Sequence, residues 1–538
     1  MAKVRTPSFI IDVELKGQNR DFLMIESELE INRVIYNTSL GEYLKREKQM
    51  KRTKRYKKLV RISRAIKSHL AKNSNKEKME YFQNEQKNLS KEFKILREEF
   101  GLTEYSMHEY IKEVRNHFNG KINSIIAQKT ATRAWNTVKK KLFGKAKKVV
   151  FVKRGEMDSF EGKNNDTGWR FKEGKVISNY RVFVLKVKKM DIYLKEAFHL
   201  LNSQQIFQYK NKDGETVTDF YRVKYVRIIK RIVRGIVRYY AQLVCTGYPP
   251  VKRDRKTGKV KYPLGNGPVG TDIGTSSIAV SSKSKILLKN LAENIKKVEH
   301  SQREIRLYNR KLDRSKRATN PQNFDEAGRI RKGKKQREFS NNYKKLKAQL
   351  KDLYRKLALY RKLSHQYEVN RMVMLGDRFF LEEMNFKALQ KRAKKTEVSE
   401  KTGKYKKKKR FGKTIARRSP AAFVSILSRK VTALGGTLIK VKTSSFKASQ
   451  YDHKADKCKK KELKERWHRF DDGTKVQRDL YSAFLLMNSD LVGLKSDRIS
   501  CLNSFEQFFE FHKEEIKKIE NDNEVILNSG IKLKENRL

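Results

Sequence analysis

The 538-residue sequence has few cysteines, few prolines and no long apolar runs. Its only cysteines, Cys245, Cys458 and Cys501, form neither a disulfide framework nor a pair with metal-ligand spacing, which fits a reducing cytoplasm. No run of about 18 apolar residues occurs, and no signal peptide opens the chain. The sequence therefore predicts neither a membrane-spanning segment nor export.

Acidic residues are also scarce: 60 Asp and Glu face 127 Lys and Arg, which gives a formal net charge of +67. A surplus of this size needs a polyanionic partner, and nucleic acid binds such surfaces because each neutralised phosphate releases a counterion. The content of 38% hydrophobic and 10% aromatic residues is enough for packed domains rather than a disordered basic tail. At this length we expect roughly three or four domains.

The predicted secondary structure of the first half changes twice along the chain. Residues 8–15 alternate like a strand, and the pattern from Asp21 to about Leu142 is helical. Short β-like runs then follow between Val149 and Gly247, namely VVFV, FVLKV, YRVKYVRI and YYAQLVC. The simplest interpretation is a small β domain that takes its first strand from the N-terminus and carries the helical domain as an insertion. One face of the first helix is expected to pack in the core, through Ile25, Leu29, Tyr36, Leu40 and Tyr43.

The second half begins after a cluster of prolines and glycines at 249–268, which predicts a linker. Two apolar stripes, one from Leu291 to Leu312 and one from Phe339 to Tyr360, predict an antiparallel helical hairpin. The lysine-rich stretch 387–413 predicts a solvated loop able to lie along a phosphate backbone. Candidate nucleic-acid contacts in this half are Lys391, Arg392, Lys394, Lys395, Lys406, Lys407, Arg417, Arg418 and Arg478.

Three acidic residues stand out because each is delivered to the edge of a segment that reads as buried. Asp272 lies in PVGTDIGTSSIAVSS, Glu382 in DRFFLEEMNF and Asp479 in VQRDLYSAFLL. They are far apart in sequence and can meet only through the fold. Converging carboxylates repel one another unless a divalent cation lies between them, and their hard oxygens favour Mg²⁺ or Mn²⁺. Two such cations cleave phosphodiesters, so the pattern predicts a nuclease.

At these segments the chain resembles a known group. DIGTSSIAV, LEEMNF and RDLYSAF look like the three RuvC motifs of the TnpB and type V CRISPR effector superfamily of RNA-guided nucleases. The resemblance covers Pro268 to about Asn488 and implies a ribonuclease-H-like domain. It assigns Asp272, Glu382 and Asp479 as catalytic acids that bind two Mg²⁺ or Mn²⁺ ions, and it does not assign the neighbouring Glu383.

The fold implied is a multidomain α+β protein. A β-barrel-like wedge domain carries an inserted helical recognition domain, and a RuvC-like α/β nuclease domain with a helical-hairpin insertion follows. The expected boundaries are 1–20 with 146–250 for the wedge, 21–145 for the helical domain, 251–267 for the linker, 268–492 for the nuclease domain, about 290–365 for its helical insertion, and 493–538 for a helical tail without assigned chemistry.

The resemblance breaks between the last strand and the third acid, where members of the superfamily usually carry a zinc knuckle with two CxxC pairs. The corresponding segment here, about 444–475, holds one cysteine. The spacing of His453, Cys458 and His468 fits no common zinc pattern, so no zinc is expected and packing around Trp467 should hold the segment. Tyr481 also replaces the Asn usual two residues after the third acid.

The resemblance implies an RNA-guided DNA endonuclease of the prokaryotic cytoplasm. Its expected partners are a structured guide RNA and double-stranded DNA with a short flanking motif, and no membrane. Whether the guide derives from a transposon end or a CRISPR array stays open, as does monomer against homodimer. The alternatives are an RNA-independent transposase or resolvase with the same acids, an RNA-guided regulator that does not cut, and a basic RNA chaperone.

Overall fold

A computed structural model of the chain separates into two compact units, Met1–Pro250 and Val251–Leu538. It describes residues 6–72, 75–178, 181–188, 191–211, 213–254, 256–293, 297–333, 336–393, 396–399, 403, 405, 411–462, 465–490 and 492–531. Within those ranges, every helix is too short or too polar to cross a lipid bilayer.

The first unit combines a sheet with a group of helices. Its strands and helices are β1 (Ser8–Lys16), α1 (Asn19–Arg52), α2 (Lys54–Lys72), α3 (Lys76–Glu99), α4 (Ser106–Asn116), α5 (Ser124–Leu142), β2 (Ser159–Glu161), β3 (Arg170–Lys172), β4 (Lys175–Ile177), β5 (Val182–Leu185), α6 (Ile192–Asn202), β6 (Ile206–Lys210), β7 (Thr216–Phe220), β8 (Val223–Val233) and β9 (Ile236–Thr246).

The N-terminal strand lies inside the sheet of this unit. The strand order is β2-β8-β9-β1-β5-β4-β3, and β1 pairs antiparallel with both β9 and β5. Arg234 and Gly235, both with positive φ, close the two-residue turn between β8 and β9, as tight hairpins require. The segment with helices α1 to α5 is therefore inserted between β1 and β2, which are the first two strands of the sheet in chain order. The predicted core residues of α1, from Ile25 to Tyr43, are all buried, which confirms that prediction.

The second unit contains a sheet with helices on both faces. Its elements are β10 (Pro268–Ile273), β11 (Ser277–Ser282), β12 (Ile286–Asn290), α7 (Lys297–Thr319), α8 (Asn341–Met372), β13 (Arg378–Glu382), α9 (Phe386–Leu389), α10 (Gly412–Arg418), α11 (Pro420–Ala433), β14 (Thr437–Val441), α12 (Thr443–Phe446), β15 (Tyr451–Asp452), β16 (Lys457–Cys458), β17 (Trp467–Arg469), β18 (Lys475–Gln477), α13 (Arg478–Met487) and α14 (Arg498–Asn521).

The strand order of this sheet is β12-β11-β10-β13-β14. The first three strands form an antiparallel meander, and β13 and β14 then run parallel to β10. Side chains alternate along β13: Phe379 and Leu381 pack with α8 and α11, whereas Phe380 packs with α13 and α14. The sheet is therefore the middle layer of three.

The long helices α7 and α8 pack together through Ile305 and Leu312 of one and Leu350, Leu353 and Leu357 of the other. This confirms the packing predicted from the two stripes. Leu291, which the sequence placed at the start of the first stripe, instead follows β12 and packs in the core of the sheet.

The predicted linker 251–267 begins at the boundary between the two units. Its last residues are hydrogen-bonded, because Gly265 N–H donates to the Val373 carbonyl at 2.9 Å and Gly267 N–H to Asp377 Oδ1 at 2.9 Å. A Cβ at Gly265 would lie 2.4 Å from the Met374 carbonyl oxygen, so this glycine permits close packing rather than flexibility. The run VVFV forms no strand, since the backbone of Val152 bonds to the amide side chain of Asn37 instead.

Candidate active site

Asp272 lies on the face of the central strand that meets α13. Along β10, Val269 and Ile273 pack with α8 and α11, so Gly270 and Asp272 face the opposite side. β10 has β11 on one side and β13 on the other. Asp272 is therefore held near the end of the most central strand of the sheet.

Glu382 lies on the same face of the neighbouring strand. β13 runs parallel to β10 with Thr271 opposite Leu381, so Asp272 and Glu382 follow one position further along on each strand. Phe380, two residues earlier on β13, packs in the core beside α13, which puts Glu382 on that face too. Glu383 points the other way and is exposed.

Asp479 comes to the same place from α13. The helix packs so tightly on β10 that a Cβ at Gly270 would lie 1.9 Å from the Ala483 carbonyl oxygen. Asp479 precedes Ala483 by one helical turn, and residues four apart share a helix face. The contact between Gly270 and Ala483 thus brings the first turn of α13 towards the strand position that bears Asp272.

The charges of the three carboxylates act on one another. The pKa of Asp272 is raised well above its ordinary value, first by desolvation and then by the negative charges of Asp479 and Glu382. Asp272 keeps some exposed surface, yet the protein around it is dense enough for desolvation to be the largest cause. Burial also raises the pKa of Glu382. The fold therefore brings these three acids within electrostatic range.

Two arginines flank the acids. A guanidinium nitrogen of Arg478 lies 3.5 Å from Asp479 Oδ1, and the charge of Arg478 lowers the pKa of Asp272. Arg466 accepts the Arg478 N–H with its carbonyl oxygen at 2.9 Å, and the charge of Asp479 acts on its guanidinium. Arg478 is among the predicted nucleic-acid contacts, whereas Arg466 is not, because it lies in a segment with no recognisable motif.

The donor chemistry of the three acids fits a hard divalent cation. The residues supply oxygen ligands only, and a cation would offset the repulsion that raises the pKa of Asp272. In the described part of the chain, however, no group of three or more His, Cys, Asp or Glu side chains is arranged as a ready metal site. The negative charges of the three carboxylates thus act on one another. Their side chains are not arranged as a complete set of metal ligands.

The other basic residues predicted to contact nucleic acid differ in their exposure. Lys391 and Arg392 are exposed just after α9, and Arg417 is partly exposed at the end of α10. Lys394, Lys395, Lys406 and Lys407 lie outside the described residues.

The prediction that Arg418 contacts nucleic acid is wrong, because this residue is buried. Its side chain is only 3% exposed, donates to the Leu291 carbonyl at 2.5 Å and pairs with Glu293. These bonds connect the end of α10 to the residues that follow β12. A guanidinium buried in this way is not available to bind a phosphate.

The segment at about 444–475, before α13, is built from two short hairpins around a cluster of rings. β15 pairs with β16 and β17 with β18. Tyr481 lies between them: its hydroxyl is 2.7 Å from His453 Nδ1, and its ring stacks on His468 at 4.6 Å. His468 Nε2 in turn lies 3.0 Å from Asp452 Oδ2. We call these rings the aromatic cluster, which comprises His453, His468, Phe470, Tyr481, Phe484 and Phe505.

The aromatic cluster explains two features of the sequence. Cys458 on β16 is exposed, whereas the rings of His453 and His468 are buried. Tyr481 joins the hairpins to the helix that carries Asp479, because its hydroxyl contacts both the backbone N–H and Nδ1 of His453. Burial lowers the pKa of His453 to about 4, so this histidine is a neutral core residue.

The sequence matches no protein-family model and no curated protein. Among 24 matching chains of solved structures, one comes from "Cryo-EM structure of the Cas12f1-sgRNA-target DNA complex". The alignment covers 90% of this chain and 99% of that chain, with 10% sequence identity and a TM-score of 0.36. A similarity at this identity and TM-score supports no conclusion about the function of this chain.

Proposed function

We propose that this chain is an RNA-guided DNA endonuclease that hydrolyses phosphodiester bonds at Asp272, Glu382 and Asp479. One observation carries the proposal: acids from two parallel strands and from one helix share a face of the sheet, and the other two raise the pKa of Asp272. A turn or cap acid has no reason to face two further carboxylates in this way. Groups with strongly perturbed pKa values concentrate at functional sites.

In this proposal the three carboxylates hold two Mg²⁺ or Mn²⁺ ions. Such ions, when bound, activate water and stabilise the leaving oxygen of a phosphodiester. Asp272 contributes from the most central position, and Glu382 and Asp479 complete the ligand set. Arg478 and Arg466 neutralise the phosphate that enters beside Asp479.

The partners follow from charge and from the absence of an evident base-reading motif in the sequence. A net charge of +67 suits a long phosphate backbone, and guide pairing would provide the sequence choice. We propose a structured guide RNA and double-stranded DNA with a short flanking motif as partners, in the prokaryotic cytoplasm. The segment around the aromatic cluster is proposed to work without zinc.

The test uses the purified full-length protein with the RNA that co-purifies with it. Asp272→Ala, Glu382→Ala and Asp479→Ala should each lower the cleavage rate at least about 1,000-fold while target binding survives, and the triple variant should be no worse than the worst single one. Glu383→Ala, which changes the exposed neighbour of Glu382, is the matched control and should cut normally. Chelation should stop cleavage, Mg²⁺ or Mn²⁺ should restore it, and Ca²⁺ should support binding with little cutting. Full activity of Asp272→Ala, or activity in excess EDTA, would overturn the assignment.

A further inference from the structure

The C-terminal helix and the residues after it contact the segment that presents Asp479. Cys501, Phe505, Phe508, His512, Glu515 and Ile519 form the buried stripe of α14. The apolar members of this stripe pack in the same core as α13. The sequence offered no role for this tail.

Gln477 joins the tail to α13. It is fully buried and is the N-cap of α13, where its side-chain oxygen accepts the Leu480 N–H at 2.8 Å. Its own N–H donates to His512 Nε2 at 2.9 Å, and its side-chain amide donates to the Ser529 carbonyl at 3.2 Å. Gln477, two positions before Asp479, is therefore hydrogen-bonded both to the helix that it caps and to two residues of the tail, His512 and Ser529.

His512 is set up as a hydrogen-bond acceptor. Its ring is 4% exposed and stacks on Phe509 with a 7° angle between the planes. Burial lowers its pKa to about 4, so the ring is neutral near pH 7. Because Nε2 accepts the Gln477 N–H, the ring proton lies on Nδ1.

The residues around Ser529 are themselves anchored to the sheet. Asn290, at the end of β12, donates to the Val525 carbonyl at 2.7 Å and accepts the Leu527 N–H at 3.0 Å. Trp467 Nε1 donates to the Gly530 carbonyl at 3.1 Å. The tail therefore connects the far edge of the sheet to the start of α13.

We propose that His512 and the Ser529 carbonyl are positioning groups for Asp479: through Gln477 they fix the first turn of α13, and with it the third carboxylate of the site. This rests on the proposed function for its catalytic consequence. Partners that orient a metal ligand commonly matter 10- to 100-fold for metal affinity or activity.

The test compares three variants of the full-length, RNA-bound protein. His512→Phe keeps an aromatic ring beside Phe509 but removes the acceptor, and His512→Gln places an amide oxygen near the position of Nε2. Glu515→Met is the matched control, since Glu515 also lies buried on α14 but accepts the Leu288 N–H on β12, away from Gln477. Cleavage rate, the Mg²⁺ concentration for half-maximal cleavage and hydrogen exchange of the amides from 475 to 484 are measured on each.

His512→Phe should cut about 10- to 100-fold more slowly, need more Mg²⁺ and exchange faster at the start of α13, with DNA binding unchanged. His512→Gln should recover most of each loss, and Glu515→Met should keep the wild-type Mg²⁺ requirement. Wild-type cleavage by His512→Phe, equal losses in the Phe and Gln variants, or the same Mg²⁺ shift in Glu515→Met would each overturn the proposal. If the wild-type protein does not cut, or Asp272→Ala cuts equally, the proposed function fails instead, and the exchange rates alone decide whether His512 holds α13.

Discussion

Gly270 and Ala483 are in contact through their backbones, and this contact sets how closely α13 approaches the central strand. A Cβ at residue 270 would lie 1.9 Å from the Ala483 carbonyl oxygen and 2.3 Å from the Met487 nitrogen. Backbone atoms cannot move away as a flexible side chain would. The glycine two residues before Asp272 is therefore part of how the fold brings Asp479 to it.

Gly270→Ala should separate α13 from β10. We expect a loss of stability of about 3 kcal/mol, typical of overpacking against fixed atoms, and a fall in cleavage larger than the loss of folded protein explains. Chemical denaturation and cleavage rates per folded molecule measure the two effects. Gly274→Ala is the control, since its Cβ would meet the Ser277 carbonyl oxygen at an ordinary 3.5 Å. Equal activity of the two variants would show that the contact does not position the acids.

We expect that packing of the aromatic cluster, rather than a bound metal ion, stabilises the segment before α13. Cys458→Ser should leave metal content, stability and cleavage near wild type, because one exposed thiol cannot build a structural zinc site. Tyr481→Phe should cost about 1–3 kcal/mol, because it removes the hydroxyl that contacts both the N–H and Nδ1 of His453. Metal analysis and thermal melting of both variants provide the comparison. Stoichiometric zinc that disappears in Cys458→Ser would refute this account.

Buried neutral histidines should make the second unit sensitive to acid. Burial lowers the pKa values of His365, His453 and His512 to about 4 from an ordinary 6.5. At these three histidines the unfolded chain therefore takes up protons at a higher pH than the folded unit, and their contribution to stability falls as the pH drops from about 6.5 towards 4. Each histidine should cost about 2 kcal/mol between pH 7.5 and 5.

The variant His365→Phe isolates one of these contributions. His365 is 1% exposed and packs edge-on against Phe423, so a phenyl ring fits the chemistry of its surroundings. Urea denaturation at pH 7.5 and pH 5 should show a smaller loss of stability for the variant than for the wild type. An unchanged loss would mean that His365 is not held neutral in the folded unit.

Local patterns predicted the elements that carry the acids. The sequence around Asp479 combines a polar first turn with a continuous apolar run, a pattern typical of a packed helix, and α13 begins at Arg478. The convergence of the three acids is a hypothesis drawn from the residue types and from the resemblance, because no local pattern encodes which face of a strand meets a distant helix.

What the sequence missed depends on contacts between distant residues. Arg418 belongs to a basic run that looks solvated, and only the fold shows that Leu291 and Glu293 engage it. Gly265 lies in the predicted linker, because a sequence alone does not distinguish a glycine required for close backbone packing from one that makes the chain flexible. The bond between Gln477 and His512 joins residues whose sequence contexts give no sign of each other.

The most direct test of the central claim is guide dependence of cleavage by the wild-type protein and Asp272→Ala. The protein is purified with its RNA, the RNA is sequenced, and its guide segment is replaced while the protein is left unchanged. We expect the cleavage site in a DNA carrying both targets to move with the guide, and Asp272→Ala to bind the new target without cutting it. If RNase-treated protein cuts the same DNA equally well at an unchanged site, the guided account is contradicted and an RNA-independent nuclease takes its place.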